Sequence, residues 1–311
     1  AVCARPKALR KRNVFVRLGS DIAANKGAYL FLLPFGAIFF TFTVAPVAVS
    51  MVLSFTNFNM LQPPTFAGLE NYAKMLVKDS LFSKALQNTM VLAVITGPVG
   101  YLASLLFAWF INELPSKLRA VITLVFYAPS ISGAVYTIFT IIFSGDANGY
   151  ANAFLMRFGI IRGPIQWFTD PSVMMPMVVA VILWVSLGTS FLSFIAGLQG
   201  VDATLYEAGA IDGIKNRYQE LWFITLPAIK PQLMFGAVMS ITGSFGIGAV
   251  ITALVGFPST DYRLHTIVLH MQDYGGTRFE MGYACAIAAV LFIIMVACNQ
   301  LVHKLLSKVG E

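Results

Sequence analysis

Six long uncharged stretches alternate with short polar segments along the chain, at 28–55, 89–111, 120–143, 174–198, 233–255 and 283–302. Each supplies the roughly 20 apolar residues that a helix needs to cross a hydrocarbon layer about 30 Å thick. Prolines inside them, at Pro34, Pro46, Pro98 and Pro129, predict kinks rather than breaks, because neighbouring helices in a bilayer satisfy the carbonyls a proline frees. The pattern predicts an all-α integral membrane protein with about six transmembrane helices.

Composition agrees. Apolar residues make up 58% of the 311 residues and charged residues 11%, against about 25% charged in a soluble domain. The three cysteines, Cys3, Cys285 and Cys298, do not form a disulfide framework. The last two lie on one predicted helix, roughly 20 Å apart at about 1.5 Å per residue, and read as packing residues. The first apolar stretch is too long for a cleavable signal peptide and has a basic extension before it, so none is expected.

The distribution of Lys and Arg sets the expected orientation. With a cytosolic N-terminus, fourteen of the 21 fall inside, from the tail (Arg5 to Lys26), Lys117, Arg119, Lys215, Arg217, Lys230, Lys304 and Lys308. Seven fall outside, namely Lys74, Lys78, Lys84, Arg157, Arg162, Arg263 and Arg278. By the positive-inside rule both termini of this multi-pass membrane protein are expected to be cytosolic. The net charge of +7 then reads as an orientation signal, with attraction to anionic lipid as a second use. Nucleic acid is not an expected partner, since the tail has no aromatic stacking platform.

The resulting organisation is a basic cytosolic tail at 1–27, a first transmembrane helix at 28–55 and an extracytoplasmic loop at 56–88. A core of five further helices follows at 89–306, containing a long cytosolic loop at 199–232, and a cytosolic tail ends the chain at 307–311. Two more outer loops fall at 144–173 and 256–282.

The cytosolic loop carries the most specific signal. Tyr206-Glu207-Ala208-Gly209-Ala210-Ile211-Asp212-Gly213 is followed by Ile224-Thr225-Leu226-Pro227. Leu205, Ala208, Ile211 and Ile214 recur at helical spacing, Gly213 suits a left-handed helix stop, and Pro227 marks a break before the fifth span. This segment resembles the EAA motif of permeases in binding-protein-dependent ATP-binding-cassette importers, with two departures: Gly209 stands for the second Ala, and one extra residue precedes Ile224. The resemblance implies the type I ABC importer permease fold and a coupling helix that docks on an ATPase, with Glu207, Ala208, Gly209, Asp212, Gly213, Ile224, Leu226 and Pro227 as coupling residues. Without a partner, the same stretch is an amphipathic interhelical loop.

Softer agreements, from Phe66 to Tyr72 with Asn88-Thr89, from Gly256 to Thr260, and at Gly282-Tyr283-Ala284, resemble sugar permeases of the maltose and glycerol-phosphate type. They imply a carbohydrate as solute, with a non-sugar small solute as the alternative. The family arrangement implies a second permease subunit, usually a different chain, two ATPase subunits carrying ATP and Mg, and an extracytoplasmic solute-binding protein. The chain itself is expected to bind no cofactor and no metal and to catalyse no reaction.

What is missing points the same way. No Gly-x-x-x-x-Gly-Lys-Ser/Thr loop occurs, and the six stretches contain no ionisable Asp, Glu, Lys, Arg or His. An ion-coupled carrier working alone, the rival transport class, usually keeps such groups near the midplane. A solute site would therefore use neutral groups, and the resemblance points to Trp184, Ser186 and Thr189 on the fourth span and Ser240, Thr242, Ser244 and Phe245 on the fifth. Each taken singly also fits interhelical packing. His265, His270 and His303 have poor metal-ligand spacing and are expected to be surface groups.

Overall fold

The computed structural model describes residues 25–307, so the expectations placed on the tail at 1–24, including Cys3, and on Lys308 lie outside the described residues. The chain divides at Val52 and Leu53 into two compact units. Within the described residues, the first holds α1 (Lys26–Phe39), a π-helical turn (Phe40–Val44) and most of α2 (Ala45–Leu53), which together make one apolar helix of 28 residues. Pro46 has no N–H to donate four residues back to Phe42, and the wide turn directly before it absorbs that misfit.

The second unit begins with a short hairpin in which β1 (Thr56–Asn57) pairs antiparallel with β2 (Thr65–Phe66). A helical turn at Glu70–Ala73 follows, entered through Gly68 at φ +59°. Asn71 is buried and its amide donates to the carbonyls of Ser54 (3.0 Å) and Thr56 (2.9 Å). Two hydrogen bonds from one buried side chain explain why the hairpin and the turn stay together. Asn71→Ala leaves both carbonyls short of that donor, at a cost of about 1–3 kcal/mol. It is expected to lower the melting temperature of the detergent-purified protein, whereas Lys78→Ala, at an exposed position nearby, is not.

The core of this unit is organised along α3 (Ser80–Asn112), whose 33 residues extend about 50 Å. Asp79 caps it, accepting the Phe82 N–H at 3.0 Å. The apolar stretch 89–111 forms the greater part of this helix; Lys84 and Asn88 interrupt the apolar run but not the helix. One helix serves three hydrophobic clusters. Phe82 and Ala85 pack with Tyr274, Tyr283 and Ile287; Leu92 with Met174, Val178 and Ile251; Ala108 and Ile111 with Phe191, Phe194 and Leu233.

The third stretch is broken into α4 (Ser116–Ile131) and α5 (Val135–Ile142), bent by 89°. Pro129 lies in the last turn of α4, and the helix ends where Ser132 takes an extended conformation (φ −82°, ψ 111°) before Gly133. After α6 (Tyr150–Arg157), the fourth stretch runs as α7 (Met174–Val185) and α8 (Thr189–Gln199), interrupted at Ser186–Gly188. Then come α9 (Ala203–Ile211) and α10 (Arg217–Ala228), the latter bent by 81° from α11 (Lys230–Phe245). The fifth stretch is α11 plus α12 (Gly248–Val255), α13 (Ile267–Gln272) follows, and α14 (Met281–Leu306) closes the described chain. Among the described residues four helices are long and apolar enough to cross a membrane, and up to six if each bent pair counts as one span.

One expectation is corrected. His265 and His270 are not surface groups but are 2% and 1% exposed. Thr266 caps α13 through a hydrogen bond to Leu269 N–H, and the helical turn it starts brings the two rings together in the interior.

Candidate coupling segment and solute path

The 203–228 segment separates into residues that anchor and residues that stand clear. Asp202 caps α9 by accepting the Thr204 N–H at 3.0 Å, and this bond holds its carboxyl below the usual range. At the other end Gly213 takes φ +96°, with Ile214 N–H donating to Gly209 C=O (2.9 Å) and Gly213 N–H to Ala210 C=O (3.4 Å). That is a Schellman stop, which favours glycine because a Cβ is strained at positive φ.

The face of α9 turned inward holds Tyr206 and Gly209. Gly209 is buried, and a Cβ there would lie 2.5 Å from the Ile224 side chain. A methyl at this position would require the end of the Ile224 side chain to shift, because α9 packs closely on the half-buried Ile224 of the Ile-x-Leu-Pro segment, with Leu226 and Pro227 half-buried beside it. The Tyr206 hydroxyl bonds that of Thr225 (3.0 Å), which in turn donates to Glu220 C=O (3.2 Å). Arg217 bridges Glu220 (2.8 Å) and Glu113 (3.1 Å), tying the loop to the end of α3. Pro227 cannot donate to Phe223, and a π-helical turn at Leu221–Thr225 precedes it as one precedes Pro46.

Outward, Leu205, Glu207, Ala208, Ile211 and Asp212 are all exposed, Ile211 by 87%. The apolar repeat read from the sequence therefore divides: Ile214 is half-buried against α9, while Leu205, Ala208 and Ile211 form an uncovered face flanked by two carboxylates. Tyr206, Glu113 and Arg217 were not singled out from sequence. The Tyr206–Thr225 and Arg217–Glu113 contacts join residues distant in the chain, and only the fold brings them together.

A cavity of about 310 Å³ opens between α3, α5, α8 and α11, beside the break between α7 and α8. Four of the seven path candidates line it: Ser186, Thr189, Ser240 and Ser244. Thr96, Tyr136 and Ser190 join them, and no lining residue is acidic or basic. Ser186 and Ser244 donate to their own helices, at Leu183 C=O (2.7 Å) and Ile241 C=O (2.8 Å), which leaves their oxygens as acceptors.

The other three candidates lie elsewhere. Trp184 is 54% exposed, Thr242 is exposed and returns its hydroxyl to Val238 C=O (2.8 Å), and Phe245 is buried in the α3–α14 cluster beside a second, apolar cavity of about 420 Å³. Period alone cannot tell a lining face from a packing face on a helix apolar on both sides. Thr96 and Ser190 escaped notice because single hydroxyls in apolar runs carry no pattern.

Comparison with known proteins places this architecture. The family described as "Binding-protein-dependent transport system inner membrane component" matches residues 91–308. A probable ABC transporter permease of Bacillus subtilis, YesP, is 31% identical over 87% of both chains. The lactose transport permease LacF of Rhizobium radiobacter is 31% identical over 86% of this chain and 90% of its own. The arabinooligosaccharide permease AraP of Bacillus subtilis is 30% identical over 92% and 90% respectively. Among solved structures, a bacterial ABC transporter that imports alginate shares the fold with a TM-score of 0.78 over 95% of this chain and all of that one, at 22% identity. With the family match extending from α3 to the end of α14, this chain belongs to the inner-membrane components of binding-protein-dependent transport systems.

Proposed function

We propose that the chain is one of two permease subunits of an ATP-driven carbohydrate importer. Two ATPase subunits, holding ATP and Mg, dock on its cytosolic side, and a solute-binding protein delivers sugar from the other. The second permease is a different chain. The observation that carries this reading is the division of labour in α9: its inner face is locked to the Ile224–Pro227 segment while Glu207, Ala208 and Asp212 stand uncovered. Such a helix transmits a push from a soluble partner instead of yielding to it. The neutral, hydroxyl-lined cavity suits a polyhydroxylated solute, because exchanged hydrogen bonds offset desolvation without burying a charge. The relatives named for lactose and arabinooligosaccharides favour sugar over another solute. The fourteen-to-seven distribution of basic residues supports cytosolic termini and an α9 that faces the cytosol.

Reconstitution tests the proposal. In proteoliposomes the chain alone is expected neither to hydrolyse ATP nor to accumulate solute, and uptake requires ATP together with the partner subunits and loaded binding protein. Accumulation driven by an ion gradient through the single chain overturns it. In a version with its native cysteines replaced by serine, Asn148→Cys is expected to react with an impermeant thiol reagent added to intact cells and Lys215→Cys is not; the reverse pattern inverts the topology.

A further inference from the structure

At the end of α3 remote from α9, a chain of buried polar groups joins three elements. Asp79, its carboxylate 8% exposed, accepts the Phe82 N–H (3.0 Å) and the Tyr283 hydroxyl (2.8 Å) and pairs with His270 Nε2 (3.0 Å). His270 Nδ1 lies 2.9 Å from His265 Nε2. His265 Nδ1 is buried with no hydrogen-bond partner among the described residues. The backbone is joined in parallel: Asn88 of α3 donates to Tyr262 C=O (3.1 Å) and His265 C=O (3.0 Å), and the Ile267 N–H donates to Thr89 Oγ1 (2.9 Å).

Donor and acceptor bookkeeping fixes the tautomers. An ionised Asp79 only accepts, so His270 donates from Nε2 and its Nδ1 is a bare acceptor. His265 must then donate from Nε2, which leaves a bare lone pair at Nδ1; its ring is stacked on that of Phe257 (centroids 5.8 Å apart) and edge-on to that of Tyr262 (5.3 Å). An added proton at that nitrogen, or relayed from it to His270, leaves an N–H at Nδ1 with nothing to receive it. The surrounding charges give little relief. Arg278 pairs with Asp273 (2.7 Å) and lies over the Tyr274 ring, while Lys74 pairs with Glu280 and lies over the Tyr283 and Tyr274 rings. Lys84 is spent on the Asp261 carbonyl. Asp79 is thus the anion in contact with the pair, and its hydrogen bonds are already taken.

We infer that Asp79, His270 and His265 are positioning residues that clamp the ends of α3 and α14 to the segment between α12 and α14, and that the clamp holds only while both imidazoles are neutral. Acid at that end loosens it and slows transport. The direction follows from linkage. Burial, and next the neighbouring His270, push His265 down to about 4, and burial also lowers His270 despite the pull of Asp79. An opened clamp exposes imidazoles of ordinary pKa, about 6.5. Between those values the open form binds more protons, so the clamp is most stable above about pH 6.5 and weakens by up to about tenfold per unit for each imidazole as pH falls toward 4. Burial works against Asp79 as well, but its hydrogen bonds from Tyr283 and Phe82 and the adjacent His270 hold its carboxyl below the usual range, so it stays ionised through this window.

Which compartment's pH matters rests on the proposed topology; the clamp does not, so stability is measured first. Melting temperatures of the full chain in detergent are compared from pH 8 to pH 4.5 for the wild type, His265→Gln and Asp79→Asn. A glutamine amide still donates to His270 but does not titrate, so His265→Gln is expected to flatten the fall in melting temperature below pH 6.5. Asp79→Asn is expected to melt lower already at pH 8. If His265→Gln is not recovered folded, His265→Asn takes its place. Equal acid slopes in wild type and His265 variant overturn the clamp. With binding protein and ATPase present, wild-type uptake relative to its own value at pH 7.5 is expected to fall as the outer pH drops to 5, and that of His265→Gln to fall less. Equal acid losses of uptake overturn the transport role, and a response to inner pH alone overturns the topology instead.

Discussion

Glu207→Lys and Gly213→Val are expected to leave the chain inserted in the membrane while abolishing uptake, each for a different physical reason. Glu207 is exposed, so its charge is available to a partner. Reversing a carboxylate that becomes desolvated against a cationic or hydrogen-bonding group costs about 2–5 kcal/mol, which weakens ATPase docking by about thirtyfold or more. Gly213 touches nothing that an added Cβ would strike. The penalty at φ +96° is purely one of backbone, and it is greatest for a β-branched residue. Gly213→Val therefore unwinds the stop of α9 and misdirects the chain toward Ile224, uncoupling ATP turnover from binding-protein loading. Co-purified ATPase per permease, and turnover with and without loaded binding protein, read the two effects separately. Asp146→Asn, in an exposed loop of the other end, is the control. Normal docking, stimulated turnover and uptake in both variants would remove α9 from the coupling pathway.

Ser240→Phe is expected to stop uptake without loosening the ATPase. Ser240 sits on α11 between the two cavities, its hydroxyl 3.4 Å from that of Ser190. A phenyl ring there occupies space that a solute would need, in a site only partly buried, so the overpacking cost stays near about 1–3 kcal/mol. Ser240→Ala removes one hydroxyl and no space, and is expected to reduce uptake by less than about tenfold, in line with one neutral hydrogen bond. Transport rates measured beside ATPase co-purification separate a blocked path from a failed assembly. Uptake at the wild-type rate in Ser240→Phe would show that solute does not pass through this cavity.

The class of the protein was legible because a bilayer imposes a one-dimensional rule: residues in hydrocarbon must be apolar over a fixed length whatever they later touch. That rule yields six stretches without any knowledge of packing. The helix stop at Gly213 was equally local, since its geometry is set by bonds among residues 209 to 214. Tertiary structure decided the rest. It extended α3 back to Ser80 through Lys84 and Asn88, whose polarity bounds the apolar stretch and not the helix. Gly209 read only as a departure from the motif's second Ala until its packing against Ile224 was visible. Ser186 and Ser240 were separated from Trp184, Thr242 and Phe245 only by which side of each helix faces the cavity, a choice that an all-round apolar helix does not encode. The histidines were misread for the same reason: their spacing suggested surface groups, and their burial depends on Asp79, 191 positions before His270. Along the chain the sequence determined what must lie in the membrane and where a helix must stop. Which polar groups meet depended on contacts between distant segments, because a buried hydrogen bond is specified by both partners and neither one alone announces it.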